Sequence, residues 1–258
     1  MTLTKRLTLG ELRYRKKPTL ATLRQWSTEF STNMLTSVWE GFDQLTREIF
    51  TVDPSEAEDD IERSITELLE PRIQRHIPDH APYYLQHASA ERESRSKAPA
   101  QPPIYDLAFV FWENETFKWP LEAKVLKSDT PAAVSRYVAC LREKLLTFKY
   151  SPFSTEAAML GYLFSGQPAT AFSSIAQEIP CELTTHPDFA ARNHMTSEHV
   201  RPVPEDKTDS YPAELRCHHL MMVIEQFTSE KSAVKAQRAI DVRPQLKRRE
   251  RYCGANGD

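Results

Sequence analysis

Two carboxylates and an ammonium lie within one short stretch, YDLAFVFWENETFKWPLEAKVLK: Asp106, then Glu122 and Lys124 two residues apart. In an extended strand alternate side chains share a face. Phe117, Trp119, Leu121, Ala123 and Val125 therefore face a core, while Lys118, Pro120, Glu122 and Lys124 project from the other side. Asp106 stands one hairpin away, at the mouth of the preceding strand, within approach of Glu122. Hard divalent cations bind one or two carboxylates together with waters and substrate oxygens. Such a cation neutralises a phosphodiester and lowers the pKa of the attacking water, and an ammonium beside it stabilises the charge that develops. The competing reading is an exposed Glu–Lys pair on a solvated sheet edge, with Asp106 as a turn residue.

The elements that must position these residues follow from periodicity. Trp26, Phe30, Met34, Val38, Phe42, Leu45 and Ile49 recur in steps of three and four, which predicts an amphipathic helix over 26–50. Pro54-Ser55 breaks the chain. A second helix is expected from Ser55 to about Glu70, ended by Pro71, with Ile61, Ile65, Leu68 and Leu69 inward. Residues 86–103 are polar, proline-rich and aperiodic, and read as a loop. IYDLAFVFW and TFKWPLEAKVL form a predicted hairpin with its turn at Glu113-Asn114-Glu115. Pro120 has no ladder donor, which implies an edge position or a bulge. Thr130-Pro131 opens a helix whose inward stripe is Ala133, Val134, Tyr137, Val138, Leu141 and Leu145. A short helix, AAMLGYLF, is expected after Ser154 and closes near Gly166. A strand begins at Glu214, and a helix after Thr228-Ser229 leads into a basic end. This order indicates an α/β fold, a central mixed β-sheet flanked by helices. The expected divisions are an N-terminal helical extension at 1–52, a main domain at 53–230, and a C-terminal helix and basic tail at 231–258.

The pattern Asp, fifteen residues, Glu-Ala-Lys at the ends of two strands, with a helix directly after, resembles the PD-(D/E)XK superfamily over roughly residues 55–228. The resemblance implies a restriction-endonuclease-like fold with Asp106, Glu122 and the Ala123 carbonyl as metal ligands. It implies Mg²⁺ as the ion, with Mn²⁺ as a substitute, and Lys124 acting at the nucleophilic water. It also implies a further acidic residue on the helix before the first strand. Glu62, sharing a face edge with Ile65 and Leu69, fits that place; Glu67 and Glu70 are more solvent-facing alternatives. An acidic residue near a helix start also simply favours the helix dipole. The chain departs from the pattern in having Ile104-Tyr105, not a proline, before Asp106. The function implied is a metal-dependent nuclease hydrolysing phosphodiester bonds of DNA, an effector of a bacterial defence or restriction system. Its partners would be nucleic acid and a protein subunit such as a sensor or ATPase, with homo-oligomerisation left open. The other functional class is a catalytically silent scaffold or regulatory subunit that keeps the nuclease fold.

Bulk properties bound these readings. The 258 residues are 40% hydrophobic and 27% charged, ordinary for a globular protein, and no apolar run reaches the roughly 18 residues of a membrane span. The basic N-terminal stretch lacks the apolar segment of a secretory signal. Cys140, Cys181, Cys217 and Cys253 form no CxxC pair, so a reducing, cytoplasmic setting is expected. A net charge of -3 argues against a nucleic-acid coat protein, while an enzyme touching phosphates along one groove needs only local positive charge. His186, His194, His199, His218 and His219 crowd residues 181–219 without zinc-ligand spacing. His218 and His219, adjacent in a strand, must point to opposite faces. HMTSEHVRP reads as a polar loop with His194, Ser197, His199 and Arg201 as candidate phosphate donors. Arg243, Lys247, Arg248, Arg249 and Arg251 form a solvated basic end that can also meet a phosphate backbone.

Overall fold

The computed structural model describes residues 20–48, 57–94 and 101–224. Ile49, the expected helix start at Ser55, the helix after Thr228-Ser229 and the basic run at 243–251 lie outside the described residues.

Helix α1 (Leu20–Arg47) buries Met34, Val38, Phe42 and Leu45 of the expected stripe, with Leu35 and Trp39 beside them, while Trp26 and Phe30 are half-buried. Helix α2 (Glu58–His76) does the same with Ile61, Ile65, Leu69 and Ile73. It runs through Pro71 instead of stopping before it. Proline there deprives the Glu67 carbonyl of its helical donor, yet both residues are exposed, where the loss is least costly. Ile73, buried two residues further on, holds the continuation. Leu68, expected inward, is 41% exposed.

The sheet has seven strands in the order β1-β2-β3-β4-β7-β6-β5. They are β1 (Tyr83–His87), β2 (Leu107–Phe111), β3 (Asn114–Lys127), β4 (Glu156–Ser165), β5 (Thr184–Thr185), β6 (His194–Val200) and β7 (Glu214–Val223). β3, β4 and β7 are parallel at the centre, and antiparallel pairs complete each side. Helices α1 and α2 cover one face, over Phe109, Trp119, Leu121, Ala123, Leu160 and Tyr162. The other face, with Ala108, Val110, Leu126, Met159 and Met221, lies under α3 (Pro131–Cys140) and α4 (Pro168–Glu178). The protein is thus α/β, a mixed sheet between helical layers. No helix among the described residues is long and apolar enough to cross a membrane.

Several expectations are corrected. β1 occupies the start of the segment read as a loop, and the hairpin turn is the shorter Trp112-Glu113, with Asn114 already in β3. AAMLGYLF is not a helix but most of β4. A parallel strand covered on both faces carries a continuous apolar run, which periodicity alone cannot separate from a buried helix. HMTSEHV is not a polar loop but β6, and His194, Ser197, His199 and Arg201 are all buried. Pro120 sits at neither edge: it pairs with Ala108 and precedes the first β3–β4 pair, Leu121 with Ala158. Its missing donor would point towards β4, with which pairing has not yet begun. All six stripe residues expected for α3 are buried, Leu141 and Leu145 in a π turn that prolongs it. Thr130 precedes Pro131 as expected, but its side chain makes no capping bond.

The buried polar residues of β6 and β7 satisfy one another. Trp39 Nε1 donates to His194 Nδ1 at 3.3 Å. His194 Nε2 is then the protonated nitrogen and donates to His218 Nδ1 at 3.1 Å, and His218 Nε2 donates to Glu156 at 3.3 Å. On the opposite face His219 bridges Tyr137 at 2.9 Å and Ser197 at 2.8 Å, and Ser197 also meets His199 at 2.7 Å. Adjacent histidines do serve opposite faces. Burial favours the uncharged ring, pushing His194 down to about 2 and His219 down to about 3.

Two outcomes are expected. In the folded protein at pH 5, ¹H–¹⁵N NMR should find both His194 and His219 neutral; an imidazolium signal from either would contradict this network. Gly41 of α1 meets α2 so closely that a Cβ there would lie 2.7 Å from the Ile73 backbone nitrogen. Gly41→Ala should therefore lose about 1–3 kcal/mol through overpacking, more than the roughly 1 kcal/mol that helix propensity returns. Urea denaturation reads the difference, and a stabilised variant would disprove the close approach.

Candidate active site

The site originates in a mismatch of strand lengths. β2 begins at Leu107, opposite Leu121 of β3. β3 continues to Lys127 with β4 along one side only. On its open side the Ala123 and Val125 N–H groups have no strand to receive them, and an unpaired buried backbone donor costs about as much as a lost hydrogen bond. Two carboxylates meet this need. Asp106, immediately before β2, accepts from Ala123 N at 2.8 Å. Glu62, reaching over from α2, accepts from Val125 N at 3.2 Å. Asp106, Glu62 and the Ala123 carbonyl are thereby gathered at one open strand edge.

Glu122 and Lys124 project from the same stretch of β3, as alternation requires. Lys124 Nζ donates to Glu62 Oε1 at 2.6 Å and to the Ala123 carbonyl at 2.5 Å, and lies 3.4 Å from Glu122 Oε1. Glu122 is fully buried. Its Oε1 also receives Lys144 Nζ, and the Cys140 thiol at 3.3 Å. Cys140 and Lys144 lie one turn apart where α3 passes into its π turn. Helices from both faces of the sheet therefore border one group of charges. Glu67 is exposed and Glu70 half-buried, and neither has a bond to this edge; the sheet-facing acid of α2 is Glu62.

Electrostatics follow from this crowding. Burial, reinforced by the Asp106 charge, pushes the Glu122 carboxyl up to about 7 despite both lysines. Burial likewise raises Glu62, against the pull of Lys124. Burial disfavours the Lys124 ammonium, but the charges of Glu122, Glu62 and Asp106 outweigh it and hold the group above the ordinary lysine range. Lys144 is raised in the same way, chiefly by Glu122 once the opposing effect of burial is overcome.

Among the described residues, no group of three or more His, Cys, Asp or Glu is disposed as a metal cage; lysines stand between the carboxylates. The donors are nonetheless of the kind a hard cation takes, oxygens only. Moreover, Glu122 Oε2 is buried without a hydrogen-bond partner among the described residues, an acceptor that a cation would satisfy. The residues that would hold it are Asp106, Glu122 and the Ala123 carbonyl, with Glu62 adjoining. The rings of His194, His218 and His219 are taken up in the network of β6 and β7.

Lys144 was missed from sequence. Its signal was faint: a charged residue four positions after Cys140, in a helix whose neighbouring Leu141 and Leu145 belong to the buried stripe. Comparisons with protein-family models, with curated proteins and with solved structures each find no match to this chain.

Asp106→Ala and Asp106→Asn both remove the charge, so the repulsion they relieve is the same. Only asparagine retains an oxygen for the Ala123 N–H. Asp106→Ala should accordingly be less stable than Asp106→Asn by about 1 kcal/mol, read from urea midpoints. Equal stabilities would show that Asp106 does not cap the strand edge.

Proposed function

We propose that this chain is a divalent-cation-dependent nuclease that hydrolyses phosphodiester bonds, with DNA as its substrate. The observation that carries the reading is the meeting of Asp106, Glu62, Glu122 and Lys124 around the open edge of β3. The resemblance of Asp106 and Glu122-Ala123-Lys124 to the PD-(D/E)XK pattern supports it, and so does the Glu122 oxygen that has no partner among the described residues.

On this reading Asp106, Glu122 and the Ala123 carbonyl hold Mg²⁺, or Mn²⁺ in its place. The bound ion neutralises the scissile phosphate and acidifies its water. Glu62 holds the Lys124 ammonium beside the Ala123 carbonyl, close to the reacting group, where the lysine orients the nucleophile and stabilises developing negative charge. Glu122 must be ionised to serve; burial favours its protonated form, so proton and cation compete for the carboxylate. The net charge of -3 argues against a dedicated DNA reader. A partner subunit, such as a sensor or ATPase of a bacterial defence system, provides recognition and activation on this proposal.

A second reading is favoured by one observation: Glu122 Oε1 already has Lys144, Cys140 and Lys124 around it. A carboxylate so well supplied suits a scaffold that keeps a nuclease-like fold without cutting.

Incubating plasmid DNA with Mg²⁺ or Mn²⁺ separates the two. Wild-type protein should cleave, EDTA should stop it, and Asp106→Asn or Lys124→Ala should lower the rate about 10²–10³-fold. Equal degradation by all three proteins would sink the site assignment. No cleavage with either metal, together with a stable complex with a partner protein, would favour the scaffold.

A further inference from the structure

Lys144 stands outside the Asp106, Glu122-Ala123-Lys124 pattern, yet it makes the closer of two ion pairs with Glu122, the other being that of Lys124. Its side chain is 27% exposed while the carboxylate it meets is fully buried. Its side chain therefore reaches from solvent to the interior of the site. The other cations nearby are engaged elsewhere: Lys127 at 2.8 Å and Arg136 at 2.5 Å both pair with Glu58.

The structure holds Lys144 in place by unusual means. The lysine rides on the Leu141–Leu145 π turn, closed by Leu146 N donating to the Leu141 carbonyl at 3.1 Å. Tyr150 N then donates back to the Lys144 carbonyl at 2.7 Å, and the Tyr150 ring lies 5.1 Å from Lys144 Nζ. The chain turns back to Tyr150 through left-handed backbone at Phe148 (φ 59°), and Ser151 (φ 47°) just beyond is left-handed too, conformations that cost non-glycine residues about 1–3 kcal/mol each and gather at functional sites. Buried Arg201 fastens this loop, donating to the carbonyls of Leu145 at 3.5 Å, Ser151 at 3.2 Å and Ser154 at 2.8 Å.

Charge gives the reason for such care. With the three carboxylates of Asp106, Glu62 and Glu122 against the two ammoniums of Lys124 and Lys144, the group carries one negative charge in excess. A divalent cation would turn that into an excess of one positive charge, and an anionic phosphate would restore the balance. On the nuclease reading above, we infer that Lys144 is the resident counter-ion of Glu122, exchanged for the divalent cation and then turned towards the phosphate of the substrate. It is a binding residue of the same site, and Lys124 keeps its place beside Glu62.

Isothermal titration of the whole chain with Mn²⁺, without nucleic acid, tests the first half. Lys144→Met keeps the apolar stem over Tyr150 and removes the competing charge, so Mn²⁺ should bind about tenfold more tightly than to wild type. Plasmid cleavage at saturating Mn²⁺ tests the second half: Lys144→Met should cut about tenfold or more slowly, and Lys144→Arg should recover much of the rate. Thermal melting controls for folding, and Lys144→Gln carries the same readouts if the methionine variant is unfolded. Unchanged Mn²⁺ affinity in a folded variant overturns the counter-ion role, and tighter binding with undiminished cleavage overturns the phosphate contact. Failure of wild type to bind Mn²⁺ at all overturns the nuclease reading itself, a result distinct from either.

Discussion

The early end of β2 is the constraint on which this molecule's chemistry depends. A strand in the middle of a sheet has its backbone donors taken by its neighbours. β3 loses one neighbour beyond Leu121 but remains buried, so its Ala123 and Val125 N–H groups need acceptors from elsewhere. Carboxylates are strong acceptors for such groups, and once two are brought there their mutual repulsion calls for cations. Lys124 follows from Glu62, and Lys144 from Glu122. A charged cluster inside an α/β fold thus has a backbone cause before it has a chemical use.

That double service bears on how the residues are to be judged. Asp106 and Glu62 would have reason to be acidic in a molecule that catalysed nothing, because each completes the hydrogen bonding of β3. Glu122 differs. It caps no backbone group, one of its oxygens is buried without a partner among the described residues, and its burial pushes its carboxyl up to about 7. A side chain that costs stability in this way argues more strongly for use than the two that supply stability.

The sequence made β3 and its hairpin legible because strict alternation of apolar and polar residues has one physical explanation, a strand with two unlike environments. α1 and the stripe of α3 were legible for the corresponding helical reason. β4 was not, since a strand buried on both faces has no polar side to alternate with. β6 failed differently: its histidines, serine and threonine look solvated in isolation and become interior residues only when β7, Trp39 and Tyr137 supply their partners. Lys144 was invisible for the same reason. Its significance is its distance from Glu122, which is set by a π turn and a left-handed loop that no spacing rule encodes. Glu62 could be placed on the correct helix and face, whereas its bond to Val125 could not be foreseen without the length of β2.

The hydrogen bond from Trp39 to His194 spans 155 positions of sequence, and this separation has a consequence during synthesis. At a translation rate of about 5–20 residues per second, the indole waits on the order of ten to thirty seconds before its acceptor exists. Through that interval α1 displays Met34, Leu35, Val38 and Trp39 to whatever lies near the ribosome, since the sheet that buries them is incomplete until β7 arrives. The nascent chain therefore has a window of stickiness set by topology, and lengthening that window by slowing translation through β6 and β7 would increase its exposure to aggregation without altering a single contact of the finished fold.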